Sequence, residues 1–418
     1  MSSEQLVRAV FYAVVFCIPL ETLYVLNLSG STDPNAGGIT FSKLIGLILF
    51  GLALVEWRRC FRRIPATFWM IAWYLLALTM SELWIPRSLS GWFYQVQFTV
   101  VQMAGLFLIS ANLFADPEFR GSILEFYGWW ASLVAVGMLL GVTGGAFGEN
   151  RDTVLGQDPN MAAAYFAMGA VCIAGNPRIF ASKWMIPRMI LSPIAIVASI
   201  LAILQTGSRG GLIAFAAGIS ALAVCGGKAT RLRRSCIAAA VIAVLGFMIV
   251  REFQHGTNTA ARLTASWNDG DTAGRTTIYD AAWAMVLEKP LMGYGGANNL
   301  FTLGTRLNET TNGIFGRDTH NLLLAVLTEV GLVGAVPFLL AILYAMWIAW
   351  RHGTRTGDAL PFALMCVQVL VNTSVTGHRE KLFWIVFAAA AACGMPHEAA
   401  EKAEARRIMP TDGEASAL

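Results

Sequence analysis

The chain has 418 residues, of which 56% are hydrophobic and 13% charged, with a mean hydropathy of +0.58 and a formal net charge of +4. Soluble domains carry about twice that charged fraction, so a soluble globular protein is excluded. Apolar runs of about 15–25 residues recur where a β-barrel would show short alternating segments. The expected fold class is an all-α polytopic membrane protein, and the small charge surplus points to no nucleic-acid partner.

Twelve spans are expected, at about 6–28, 39–55, 64–80, 94–114, 124–143, 161–175, 184–204, 210–226, 235–250, 320–350, 361–376 and 381–395. The first run continues to Leu28 without a cleavage site, so no separate signal peptide is read there. The chain divides into nine spans in 1–250, a large polar loop at 251–319, three spans in 320–395 and a tail at 396–418. With the N-terminus inside, the short connections place eighteen Lys and Arg inside and six outside, which favours that orientation. Both termini are then cytoplasmic and the long loop faces outward, the periplasmic side of a bacterial inner membrane.

Trp57, Trp69, Trp73, Trp84, Trp92, Trp129 and Trp130 lie near span ends, where an interfacial belt explains them and stacking on sugar is the alternative. Asp158 and Pro159 cap the sixth span as a plain turn, or belong to a polar loop lining an outward cavity. In the long loop, Ile278, Ala281, Ala282, Met285 and Val286 share one face of a helix over 276–288, which Pro290 ends. That helix is expected on the membrane surface or over the span ends. Gly293-Tyr294-Gly295-Gly296 reads as a flexible turn and 297–316 as a mobile polar segment. The seven cysteines sit in or beside apolar runs without a CxxC pair, so neither a disulfide framework nor a zinc site is expected.

The spans are read as nearly free of ionisable residues, which argues against a proton relay or a carrier of lipid-linked sugar. Polar residues gather instead at outward span ends. Arg209 follows Thr206-Gly207-Ser208 and precedes Gly210-Gly211. It snorkels from a tight turn, or it grips phosphate bidentately where glycines allow close approach. Arg275 opens the loop helix, as a surface charge or as part of an anion site at free N–H groups. His320 stands at the mouth of the tenth span, as a cap or as a general base, since imidazole titrates near neutrality. His378 and Arg379, in a short outward turn, contact phosphate of donor or acceptor or merely anchor the turn. Neither a metal cluster nor a nucleotide-binding fingerprint is present in the sequence, so no cofactor is expected and the energy must come with a phosphate-activated substrate.

Gly207-Ser208-Arg209-Gly210-Gly211, Gly274-Arg275, Lys289-Pro290-Leu291-Met292-Gly293-Tyr294-Gly295, His320-Asn321 and Glu329-Val330-Gly331-Leu332-Val333-Gly334 carry a resemblance. With the span count, they make the chain similar to the O-antigen ligase family of the WaaL type, within the superfamily that includes Wzy-type polymerases. The resemblance implies a metal-independent membrane glycosyltransferase of the C type. It implies a glycan donor on undecaprenyl pyrophosphate, a lipid A–core acceptor hydroxyl, and a site open to the periplasm amid membrane lipid. Carried over by position, His320 is the base, and Arg209 and Arg275 hold the pyrophosphate as it leaves, with inversion at the anomeric carbon. A Wzy-type polymerase and a protein O-oligosaccharyltransferase are the nearest alternatives.

Overall fold

The computed structural model describes residues 2–20, 24–26, 39–84, 90–146, 152–176, 185–225, 275–311 and 314–396, with scattered helical positions between 235 and 254. Through the continuous stretches run α1 (Ser3–Cys17), α2 (Phe41–Val55), α3 (Trp57–Cys60), α4 (Ala66–Met80), α5 (Ser90–Phe114), α6 (Pro117–Leu139) and α7 (Pro159–Gly175). They are followed by α8 (Met185–Gln205), α9 (Arg209–Val224), α10 (Arg275–Glu288), α11 (Asn298–Leu307), α12 (Leu322–Thr356), α13 (Leu360–Val371) and α14 (Lys381–Ala392). Small antiparallel ribbons pair 24–26 with 39–40, 144–146 with 152–154, and 310–311 with 314–315.

Among the described residues, four apolar helices of at least 18 residues and seven shorter ones fall where eleven of the twelve spans are expected. Most of the ninth expected span, most of 252–274 including Gly274, and the tail after Pro396 lie outside the described residues. Several helix starts differ from expectation because side chains cap them. Ser2 and Gln5 form a reciprocal capping box that starts α1 at Ser3. Asp116 accepts from the Glu118 N–H at 2.9 Å with Pro117 in the first turn, which moves the start of α6 back from 124. The same signal at Asp158-Pro159 starts α7 as expected.

The core lies along α7 and α14, which are apolar all round and therefore enclosed. Every residue from Leu382 to Ala392 is buried. Trp384 packs against Phe107, Phe338 and Phe387 at centroid distances of 6.0–6.1 Å. α5 flanks α14, α4 lies along α12, and α9 lies along α13. Alanine and glycine on α7 let these backbones approach, as helices packed within a bilayer require. The outer helices turn large apolar side chains outward, among them Leu47, Leu54, Trp69, Ile213 and Leu343. Such a surface suits lipid and is out of place in water.

α12 is broken at Gly331, whose φ of 61° and ψ of −165° leave the helical region. The loop after α10 fills the break. On one side the Tyr294 and Gly295 N–H groups donate to the carbonyls of Thr328 and Glu329, each at 2.8 Å. On the other, the Leu332 and Val333 N–H groups donate to the carbonyls of Pro290 and Leu291 at 2.8 and 3.1 Å. The four backbone groups exposed by the break are thus satisfied from outside the helix. Within an apolar bundle each would otherwise cost several kcal/mol. Hence the expected flexible turn at Gly293-Tyr294-Gly295-Gly296 is a docked segment.

α10 packs over the start of α12. Ile278, Ala282 and Met285 form a small core with Tyr294 of the docked loop and Leu303 of α11, and Leu324 of α12 packs beside it. The segment expected to be mobile, 297–316, holds α11 and a ribbon. Asn308 closes α11 in the left-handed conformation.

Candidate functional site

Arg209, Arg275 and His320 sit on three elements that meet at one turn, residues 372–379, between α13 and α14. Ser208 caps α9 by accepting from the Gly211 N–H at 3.2 Å, and its hydroxyl donates to Asn160 Oδ1 at 3.1 Å. A Cβ on Gly210 would lie 2.8 Å from Ser374 Oγ, and one on Gly211 would lie 2.5 Å from Ala163 Cβ. These glycines therefore let α9 close on the turn and on α7. Arg209, beside them, is half-buried at the first position of α9.

Arg275 is half-buried at the start of α10. One turn on, the Tyr279 hydroxyl donates to the carbonyl of Thr373 at 3.1 Å and lies 3.4 Å from that of His320. The same residue thus ties α10 both to the turn and to the histidine. His320 has φ 49°, an unusual backbone for a residue with a side chain. Asn321 caps α12 through Leu324 N–H at 3.1 Å, and Leu322 N–H donates to the Asn372 carbonyl at 2.9 Å. The His320 side chain is 33% exposed, and its Nδ1 lies 3.7 Å from Asp318 Oδ2. Asp318 Oδ1 accepts the Thr376 hydroxyl at 2.8 Å.

His378 and Arg379 face inward from the turn. His378 has no exposed surface and lies 3.4 Å from Glu329 Oε2. Its carbonyl accepts the Trp384 indole N–H at 2.7 Å. Arg379 Nη2 pairs with Glu329 Oε1 at 3.2 Å. Burial works against the Arg379 charge, but the Glu329 and Asp318 carboxylates outweigh it and push its pKa up. Both residues thus contact Glu329; the His378 side chain has no exposed surface, and that of Arg379 keeps 22%.

Glu329 is the residue that sequence reasoning missed. It lies inside the tenth expected span, fully buried, where the spans were read as nearly free of charge. The signal was available: an acidic residue with apolar neighbours at membrane depth marks a polar partner within the protein. What the sequence does not show is which partners fold onto it, since Tyr74, His378 and Arg379 come from other elements.

On the far side of the loop, Glu288 receives hydrogen bonds from Arg306 and from the Tyr294 hydroxyl, the latter at 2.5 Å. The Arg306 bond and then the Tyr294 bond hold its carboxyl down to about 2. Burial and the adjacent carboxylate push the Tyr294 hydroxyl up to about 12.

Residues 194–339 match the O-antigen ligase family. The matched stretch holds Arg209, Arg275, His320, Glu329 and the break in α12. Over about a third of the chain, the match supports a likeness to the O-antigen ligase and polymerase superfamily, whose activity is glycosyltransferase-like. No curated protein matches the chain.

Proposed function

We propose that the chain is an O-antigen ligase, which moves glycan from undecaprenyl pyrophosphate to a sugar hydroxyl of lipid A–core at the periplasmic face of the inner membrane. The observation that supports it is the meeting of three elements on the 372–379 turn. Each brings one residue suited to this transfer, and all three residues lie in the stretch that matches the O-antigen ligase family.

In this reading His320 accepts the proton of the acceptor hydroxyl. The freed oxygen attacks the anomeric carbon while the bond from that carbon to the pyrophosphate oxygen breaks. One direct displacement inverts the centre. Arg209 and Arg275 hold the pyrophosphate and balance the charge that it gains on leaving. Asp318 beside Nδ1 favours a proton on that nitrogen, which leaves Nε2 as the base. Such contacts are often long before substrate binds.

The test is transfer by the purified protein, given lipid-linked glycan and lipid A–core. The glycan is expected on the core. Glycan on a second lipid-linked repeat would replace the ligase with a polymerase, and glycan on protein would replace it with an oligosaccharyltransferase. His320→Ala should slow transfer by about 10²–10⁴-fold while donor binding stays near normal. Arg209→Ala and Arg275→Ala should weaken donor binding as well as rate, with lysine restoring only part, because ammonium lacks the bidentate fork. Near-normal turnover by folded His320→Ala would remove the base assignment.

A further inference from the structure

A carboxylate buried in a membrane-spanning helix is costly unless it is paired, and the transfer chemistry above makes no use of Glu329. Its contacts lead in two directions. Oε2 accepts the Tyr74 hydroxyl at 2.7 Å, and Oε1 accepts from Arg379 Nη2 at 3.2 Å. The same Arg379 nitrogen lies 3.4 Å from the Gly296 carbonyl, which it donates to. The Glu329 carbonyl itself accepts the Gly295 N–H at 2.8 Å. The docked loop is therefore held twice by one residue, through its backbone and through Arg379.

The other direction runs along the 372–379 turn. Arg379 is one end of it. Near the middle, the Thr376 hydroxyl grips Asp318 at 2.8 Å, and Asp318 stands 3.7 Å from His320 Nδ1. Asn372 Oδ1 accepts the Gly377 N–H at 2.7 Å, which closes the turn into one unit. Arg379 and Thr376 thus belong to one hydrogen-bonded turn, which joins Arg379 to Asp318. His320, at the far end of this chain of contacts, has an unfavoured φ of 49°.

We propose that Glu329 is a positioning residue that couples docking of the 289–297 loop to the setting of His320, by way of Arg379, Thr376 and Asp318. Its catalytic consequence rests on His320 being the base, whereas the coupling itself can be measured without turnover. A docked loop then sets the histidine, and a loop released from the α12 break lets it drift.

Hydrogen exchange followed by mass spectrometry on the full-length purified chain, with turnover measured on the same samples, tests this. In Glu329→Gln, amides of 290–297 and of 317–322 should both exchange faster by about tenfold or more, while 382–392 in α14 stays protected and reports an intact bundle. Its kcat should fall by about 10–100-fold with donor KM nearly unchanged, the cost of a base displaced by about an ångström. Thr376→Val cuts the path beyond Arg379, so only 317–322 should loosen, again with a lower kcat. Tyr74→Phe keeps the charge and removes one hydrogen bond. It should repeat the Glu329→Gln pattern at smaller amplitude, and it stands in if Glu329→Gln does not fold. Faster exchange at 290–297 alone, or at neither segment, overturns the coupling. If His320→Ala keeps normal turnover while both segments respond as described, the base assignment fails and the coupling stands.

Discussion

At Gly331 the absence of a side chain does structural work. Its φ of 61° and ψ of −165° lie in a region essentially restricted to glycine, and would cost a side-chain-bearing residue about 1–3 kcal/mol. A Cβ there would also meet the Leu291 carbonyl carbon and oxygen at 2.3 Å. Leu291 belongs to the inserted loop, so the clash falls on docking as well as on the helix. Gly331→Ala should therefore cost more than the backbone term alone, and the loop should leave the break. Thermal unfolding of the purified protein checks the loss. Faster exchange at Tyr294 and Gly295 separates undocking from general weakening, and an unchanged melting point with a protected loop would contradict it. The Gly331 and Gly293 motifs were visible in the sequence as family marks. Their reason, a loop threaded into a broken span, was not, because hydropathy reads 320–350 as one continuous apolar run. Glu329 stands in the same motif as Gly331, but hydropathy gives no sign of its buried pairing, since a single charge hardly alters the average of such a run.

The loop helices form a second unit, small enough that one surface cluster affects how it stands. α10 carries Glu288 at its end, the docked loop carries Tyr294, and α11 carries Arg306, so the cluster joins all three pieces. Lys289 adds a cation 4.3 Å above the Tyr294 ring. Glu288 has its carboxyl held down to about 2 by these hydrogen bonds, against an ordinary value of 4.5. A lowered folded-state pKa means that the cluster's contribution is complete above the ordinary value. It disappears as pH falls from there toward about 2. Pepsin cutting within α11, measured across that acidic range, should accelerate toward the low end in the native chain. Glu288→Gln should cut fast throughout, so that the two converge near pH 2; parallel curves would assign the acid sensitivity elsewhere. The amphipathic pattern gave α10 nearly to the residue, since Ile278, Ala282 and Met285 follow helical spacing. The polar composition of α11 concealed it, because Leu303 and Leu307 find their apolar neighbours only in the folded loop, among α10 residues, Tyr294 and Leu324.

For the whole molecule, the two ends carry opposite electrostatic duties. The end bearing Arg209, Arg275 and His320 is built around a turn and a docked loop. The far end collects basic residues tied to acids. Arg8 pairs with Glu4 and Asp116 at 3.0 and 2.9 Å, and buried Arg120 pairs with Asp358 at 2.9 Å just past the end of α12. Spans of this length and polarity are legible from composition alone. The meeting of α9, α10 and α12 is not, because the contacts run through Ser374, Thr373 and Asp318, whose roles exist only in the folded chain. A surplus of Lys and Arg in short connections marks the cytoplasmic side, and that surplus lies on the Arg8 and Arg120 end. The expectation is a cytoplasmic far end and a periplasmic site. Thr305 in α11 and Thr354 near the end of α12 are both exposed and lie at opposite ends. In a background without the native cysteines, Thr305→Cys should react with a membrane-impermeant maleimide in cells whose inner membrane is intact. Thr354→Cys should react only after that membrane is breached. The reverse pattern would put the histidine and both arginines in the cytoplasm, away from any lipid A–core presented at the periplasmic face, and the ligase reading would fall with the orientation.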